Sequence, residues 1–315
     1  MSTAIRSGGI ALLTALIVLA ITSALAYALS ADTGLAIRRT AGGTAQEQAR
    51  EISAAAEALA SSILRDALED QNAAVHGAER WARPYGPIEI IPGYAMEAEV
   101  SDLEGRFNLN TLINADGRPN ELARRTFERL LQNLELEPQW AAKIIDWIDL
   151  DDQPLDGGAE VAVYSGLTPG FRPANRMLTS TSELLAIEGF DLARYRKLEP
   201  HITTLPRDAG LNLCSATGAV LDALSNERQW SGAEDALQRN RESACFPRLD
   251  VFRNTLVDPT EFDALRSALG LSERSRYFGL RSYISSGRSG YTSFSLLRYE
   301  GPASFGSCSA TPPHE

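Results

Sequence analysis

The residues able to do chemistry crowd into one stretch, Asp146-Trp-Ile-Asp149-Leu-Asp151-Asp152-Gln-Pro-Leu-Asp156-Gly-Gly-Ala-Glu160. Counted from Asp149, side-chain oxygens fall at positions 1, 3 and 5 (Asp149, Asp151, Gln153), Leu155 offers a carbonyl at 7, and Glu160 stands at 12. That spacing is close to an EF-hand loop, whose oxygens wrap calcium. It departs at position 6, where Pro154 replaces the required glycine, and the next segment does not read as an exiting helix. The expectation is an acidic loop that can wrap calcium, with Asp149, Asp151, Asp152, Asp156 and Glu160 as candidate ligands. No thiol or imidazole in the loop favours zinc. Asn175, in Arg172-Pro-Ala-Asn175, can supply a further oxygen. The competing reading is a solvated acidic loop at a helix end. Against it, clustered carboxylates repel one another, and a helix C-terminus disfavours negative charge. A bound cation relieves both problems.

Elsewhere the chain offers little catalytic chemistry. Its three histidines, His76, His201 and His314, are too scattered for a zinc site or a triad. No Walker loop, Rossmann fingerprint or CxxC occurs, and Gly287-Arg-Ser289-Gly290 has the wrong spacing for a nucleophile elbow. The loop's carboxylates could formally make a glycosidase pair, but nothing else supports one. Of 315 residues, 41 are acidic and 30 basic, a net charge of −11 that repels phosphate backbones. Leu211-Asn-Leu-Cys-Ser-Ala216 resembles the start of a helix-hairpin-helix repeat, yet Ser225–Trp230 lacks the glycines that would present amides to phosphate. That segment reads as packing, and nucleic acid is not an expected partner. Cys214 and Cys245 flank a small helical unit. In an oxidising compartment they can close a loop of about 30 residues, worth roughly 3 kcal/mol; otherwise they are separate buried thiols. Cys308 is the odd one out.

The elements that carry these residues begin with an uncharged run from Ser7 to Ala31. Within it, Ile10–Leu29 has the roughly 20 apolar residues that span a bilayer. The core is too long for a cleaved secretory signal. Before it stand one base, Arg6, and then Ser7-Gly8-Gly9. This start resembles the leader of type IV pilin-like proteins, and the resemblance implies cleavage between Gly9 and Ile10 by a prepilin peptidase. The alternative is an unprocessed single-pass anchor. Most pilins carry glutamate five residues after the cut; here Thr14 stands there. A carboxylate in an apolar core is costly without a partner, and a first subunit has no predecessor to provide one, so Thr14 suits a tip position.

Behind the span, Ile52, Ala56, Leu59, Ile63 and Ala67 repeat every three or four residues and predict a helix continuing to about Asn72, with Gly34, Gly42 and Gly43 as weak points. Strands are predicted at Ile88–Ile91 and Tyr94–Val100 around the Pro92-Gly93 turn. Helices follow at Asn120–Leu134, from Pro138 onward, from the Ser180-x-x-Glu183 capping box to Gly189, and around Leu192–Leu198. Leu211–Leu224, Ala233–Glu242 and Asp258–Gly270 also read as helical. A closing hairpin joins Tyr277–Ile284 to Tyr291–Tyr299. The expected fold is α+β: a long N-terminal helix packed on a small antiparallel sheet, with a large helical insertion. Its parts are a leader (1–9), a transmembrane helix (10–31), the first helix-and-strand unit (32–112), an inserted helical domain with the acidic loop (113–200), a second helical unit with closing strands (201–300) and a loose tail (301–315).

Taken in order, the Gly9/Ile10 junction, Ala11-Leu-Leu-Thr14-Ala-Leu16, Asp102-Leu-Glu-Gly-Arg-Phe-Asn-Leu-Asn-Thr-Leu112, the Asp146–Glu160 loop, Pro173-Ala-Asn175 and Leu211–Ala216 resemble the K-type minor pseudopilins of type II secretion systems (general secretion pathway protein K). The resemblance runs over nearly the whole chain. It implies a pilin-like fold with a helical insertion, calcium in the acidic region, and a non-enzymatic subunit capping a periplasmic pseudopilus to support protein export. It further implies I-type and J-type minor pseudopilins, a prepilin peptidase and the inner-membrane secretion platform as partners, with a single-pass inner-membrane anchor and a periplasmic body. Two rival readings are a minor pseudopilin of a DNA-uptake pilus, disfavoured by the charge, and an anchored calcium-dependent periplasmic hydrolase, which lacks a nucleophile–base pair.

Overall fold

The uncharged run and the amphipathic stretch behind it form one helix, α1 (Gly8–Ala67), roughly 90 Å long at 1.5 Å per residue. The computed structural model describes residues 8–70, 72–225, 229–256, 259–287, 289–301 and 304–310. Most of the expected leader, the cap at Asp258, the hairpin tip at Arg288 and residues 311–315 lie outside them. Leu12–Thr33 is long and apolar enough to cross a membrane, and its side chains face outward. The weak-point glycines do not interrupt the helix, which ends at Ala67, before the expected Asn72.

The distal part of α1 buries Ala49, Ile52, Ala56, Ala60 and Leu64. The expected stripe is displaced, since Leu59 is 51% exposed. Successive four-residue steps drift around a helix by about 40°, and the buried stripe thereby follows a twisted sheet. That sheet begins with β1 (Tyr85–Ile91) and β2 (Tyr94–Asp102), paired antiparallel. Gly93 makes the turn between them at φ +85°, a conformation that favours glycine.

After Asp102 the chain leaves the sheet. It forms β3 (Phe107–Asn108), α2 (Glu121–Asn133), α3 (Trp140–Ile148), α4 (Val161–Ser165), α5 (Leu192–Leu198), β4 (Ile202–Thr203), β5 (Leu211–Asn212) and α6 (Gly218–Ser225). There follow α7 (Glu234–Arg241), α8 (Leu249–Arg253), α9 (Pro259–Leu269) and β6 (Leu271–Ser272). The chain then returns as β7 (Tyr277–Ser286), β8 (Ser289–Gly301) and β9 (Ser304–Ala310), giving an antiparallel sheet in the order β1-β2-β7-β8-β9. Because β7 pairs with β2, Asp102 lying opposite Phe278, the whole insert leaves and re-enters at one end of the sheet.

Two expectations about domain limits and one about helix length change. First, the units placed at 113–200 and 201–300 share one core: Phe107, Phe127, Leu130, Ile144, Leu221 and Leu265 belong to the same buried cluster. Second, the tail from Gly301 is not loose over its first part, because β9 satisfies its backbone groups against β8, from Ser304 opposite Gly301 to Ala310 opposite Phe294. Third, two predicted helices are shorter. Leu211–Asn212 pairs with β6 before α6 starts at Gly218, and the Ser180–Glu183 capping box opens a 3-10 turn, Thr181–Ala186.

Of the two polar-rich motifs, the first ties the insert together and the second joins it to the sheet. Asn110 Nδ2 donates to the carbonyls of Leu178 and Leu205, both at 2.9 Å, while its Oδ1 accepts from the Leu178 amide at 2.8 Å. Asn108 Oδ1 accepts from the Leu205 amide at 3.1 Å, and its Nδ2 donates to Pro206. Asn212, fully buried, donates to Val75 O and Asp102 Oδ2 and accepts from the Cys214 amide. Arg274 reaches across to the carbonyls of Asp70 and Ala73, just past α1. The insert therefore sits beyond the end of α1 that is remote from the apolar span.

Glu104 lies at this joint, 2% exposed, accepting the Arg276 amide at 2.9 Å. Burial first, and nearby Asp102 after it, push its carboxyl up to about 7. A carboxyl raised on folding adds stability that is present below its unfolded value and lost as pH rises through the folded one. Chain stability is therefore expected to fall by about 2–3 kcal/mol between pH 4.5 and 7 through this group. Glu104→Gln, which keeps the acceptor oxygen, should flatten that slope in melting curves taken across the range. An unchanged slope would remove Glu104 as its source.

Candidate metal centre

The centre is built where α3 stops. Its apolar residues Ala141, Ile144, Ile145 and Ile148 are buried, which fixes the opposite register for Asp146 and brings it toward the loop. Asp149 caps the helix in an extended conformation, its amide bonded to Ile145 O at 2.9 Å. Glu160 stands immediately before α4. Asp146, Asp149 and Glu160 are 0%, 3% and 3% exposed, and each places a carboxylate oxygen within 4.8 Å of the others.

Their hydrogen-bonding is unequal. Both oxygens of Asp146 accept from the Leu155 amide at 3.2 Å. Asp149 Oδ1 and both oxygens of Glu160, all buried, have no partner among the described residues. Burial, then repulsion from Asp151, Asp146, Glu160 and Asp152, pushes Asp149 up to about 7. Glu160 is likewise pushed up to about 7, by burial and then by Asp146 and Asp152. Burial also raises Asp146, against the amides of Leu155 and Ala159. Three inward carboxylates, two of them with orphaned oxygens, are costly unless a positive charge joins them. An all-oxygen donor set fits a hard divalent cation of the calcium class and suits zinc poorly.

The remaining expected ligands are placed differently. Asp151, Asp152 and Asp156 are exposed and stand outside the tight group. Asp151 Oδ1 accepts the Gln153 amide at 2.8 Å, an Asx-type turn that uses up one oxygen. Asn175, at φ +43°, donates to Asp151 O at 3.2 Å, and its own Oδ1 is buried without a partner. Of the EF-like positions only the first and twelfth, Asp149 and Glu160, converge. Asp146, the third member of the group, is not among the candidates counted from Asp149, although it stands three residues before it, the spacing that puts two residues on one helix face.

Gly158 shows how closely the loop is packed. A Cβ there would fall on the Asp146 carboxylate. Gly158→Ala is expected to displace Asp146, cost about 1–3 kcal/mol, and weaken calcium binding at least tenfold by calorimetric titration. Wild-type affinity in the variant would show that Asp146 is not part of the centre.

Cys214 and Cys245 are joined in a disulfide. Cys308 lies in β9, opposite Leu296. Gly9 and Ile10 lie in the first turn of α1.

Comparison with known proteins agrees with this architecture. The family described as Type II secretion system (T2SS), protein K matches residues 105–207, the part of the insert that holds the acidic loop. Type II secretion system protein K of Pectobacterium carotovorum is 30% identical over 311 residues, covering 94% of each chain. Its counterpart in Pseudomonas aeruginosa is 31% identical over 290 residues, covering 89% of this chain and 85% of that one. In structure the chain is similar to one in the crystal structure of the GspK-GspI-GspJ complex from the enterotoxigenic Escherichia coli type 2 secretion system, with a TM-score of 0.74 and 27% identity over 88% of this chain and 100% of that one. With these relatives, a pilin-like helix on an antiparallel sheet and a large insert between its neighbouring strands, the chain belongs to the protein K family, the minor pseudopilins of the type II secretion system.

Proposed function

We propose that this subunit stands first in the pseudopilus and caps it, stored in the inner membrane by α1 with its body in the periplasm. The position of the insert carries this reading. A body that projects beyond the membrane-distal end of α1 leaves no room for a subunit stacked above it. Thr14 supports it from the other end, since a first subunit has no preceding amine to neutralise. The partners in this reading are I-type and J-type minor pseudopilins, the companions named for the E. coli relative, together with a prepilin peptidase that cuts between Gly9 and Ile10 and the inner-membrane platform. Asp146, Asp149 and Glu160 hold calcium as a structural ion, with the exposed carboxylates of Asp151, Asp152 and Asp156 around it. The role is assembly, with no catalysis of its own.

The test co-produces the full chain with the peptidase and the I- and J-type subunits. Cleavage of the wild-type chain should remove residues 1–9, and Gly9→Val should leave them in place by intact mass. The cut wild-type chain should co-purify with both companions. Normal processing of Gly9→Val, or a cut chain that captures neither companion, would overturn the reading.

A further inference from the structure

The disulfide is flanked by a second, non-covalent clasp. Arg241, the last residue of α7, turns back with its Nε donating to Phe246 O at 2.6 Å, one residue past Cys245. Its Nη2 donates to Leu213 O at 3.0 Å and Ala216 O at 2.8 Å, on either side of Cys214. One planar guanidinium thus holds the backbones of both cysteine segments. Burial brings Arg241 down to about 10, which still leaves it charged at neutral pH. No ion pair of Arg241 occurs among the described residues, and three of its five N–H donors go to these carbonyls. A lysine has no such fork and cannot span the two segments in the same way.

We propose that Arg241 is a positioning residue for the Cys214–Cys245 disulfide: it brings the two thiols together before the bond exists and selects this pairing over those with Cys308. The selection has real alternatives. Pairings with Cys308 would close loops roughly two and three times longer than the 31-residue separation of Cys214 and Cys245. Loop-closure entropy rises only slowly with length. In the unfolded chain, loop statistics alone would therefore give Cys214–Cys245 in only about two thirds of molecules. In closure, a thiolate of the pair attacks the disulfide of an oxidant, either oxidised glutathione or a thiol–disulfide oxidoreductase, and forms a mixed disulfide. The second thiolate displaces the oxidant's remaining sulfur. Two protons leave the cysteines, and two electrons pass to the oxidant, which departs as thiols.

The experiment reduces the full chain in detergent micelles without denaturing it, reoxidises it in a glutathione buffer, quenches free thiols and maps disulfides by peptide mass. Wild type should pair Cys214 with Cys245 almost completely, with an effective thiol concentration at least tenfold above that of the same chain in urea. Arg241→Met should lower that concentration about tenfold or more and raise the share of Cys308 pairings above that of wild type, with Arg241→Lys close to Arg241→Met. If Arg241→Met pairs as cleanly and as strongly as wild type, Arg241 does not position the thiols. Should Arg241→Met fail to fold, the comparison rests on Arg241→Lys with the same readouts. A reduced wild-type chain no better than its urea-unfolded form would also overturn the proposal.

Discussion

Asp149→Asn is expected to stabilise the chain in EDTA and to destabilise it in calcium. In the metal-free chain, Asp149 shares a buried space with Asp146 and Glu160 and keeps one oxygen without a hydrogen-bond partner. Burial and the neighbouring carboxylates hold its proton until about pH 7. At pH 8 the ionised group is a net cost, and an amide of the same shape removes charge while keeping an acceptor. A gain of about 1–2 kcal/mol follows, from one buried like-charge contact relieved. With calcium the sign reverses, because the charge that repelled carboxylates attracts the ion. Losing one of the three buried negative charges is expected to weaken calcium binding about a hundredfold, worth roughly 2.7 kcal/mol. Without metal, raised carboxyls make stability fall as pH climbs from about 4 to 7, by the same sign rule as for Glu104. With calcium it should rise over that range, since protons and metal compete for the same oxygens. Calorimetric melting of wild type and Asp149→Asn in both conditions at pH 8 decides the matter. Two shifts of the same sign, or none, would return the loop to a solvated acidic turn.

The fold was legible where a periodic pattern runs long enough to speak for itself. The span of α1, the helices at Glu121–Asn133 and Trp140–Ile148, and the β7–β8 hairpin all follow from spacing. What stayed hidden depends on partners far away in sequence. Leu211–Asn212 looks helical by composition, yet pairs with Leu271–Ser272. A Ser-rich tail reads as loose until β8 offers it an edge. The same limit applies to the acidic loop. Counting from Asp149 ranked residues by their place in a loop, so the exposed Asp151, Asp152 and Asp156 looked equal to buried Glu160. Only the packing of α3 distinguishes them, and it adds Asp146, which belongs to the helix before the loop. The short Asn-bearing motifs were informative as a family likeness, but their physical role is visible only with the insert in place.

That role leads to the second large effect. Asn212→Ala is expected to cost about 3–5 kcal/mol, more than any surface substitution in the chain. The side chain is 0% exposed and meets five groups: the two N–H of its Nδ2 are shared among Val75 O at 2.9 Å, Asp102 Oδ2 at 3.0 Å, Ser275 Oγ at 2.8 Å and Ser215 Oγ at 3.3 Å, and its Oδ1 accepts from the Cys214 amide at 3.0 Å. These partners come from the segment after α1, the end of β2, the approach to β7 and the insert. Alanine removes all of these contacts, and a buried partner left without a replacement, such as the Cys214 amide, costs about 1–3 kcal/mol. Asp102 feels the loss most, because burial already raises it and the Asn212 bond is one of the contacts that lower it. Asn212→Asp separates shape from charge. It fits the same space but faces Asp102 with a second carboxylate, so it should be as damaging as alanine at pH 8 and partly recover at pH 5, where one of the two can hold a proton. Melting of the full chain, with limited proteolysis between residues 70 and 110, reads both effects. A melt within a degree of wild type for Asn212→Ala would mean that the apolar core alone fixes the insert to the sheet. A large loss with early cleavage in that segment would place the weld in the polar joint, and with it the rigidity that a projecting cap needs in order to stand on one helix.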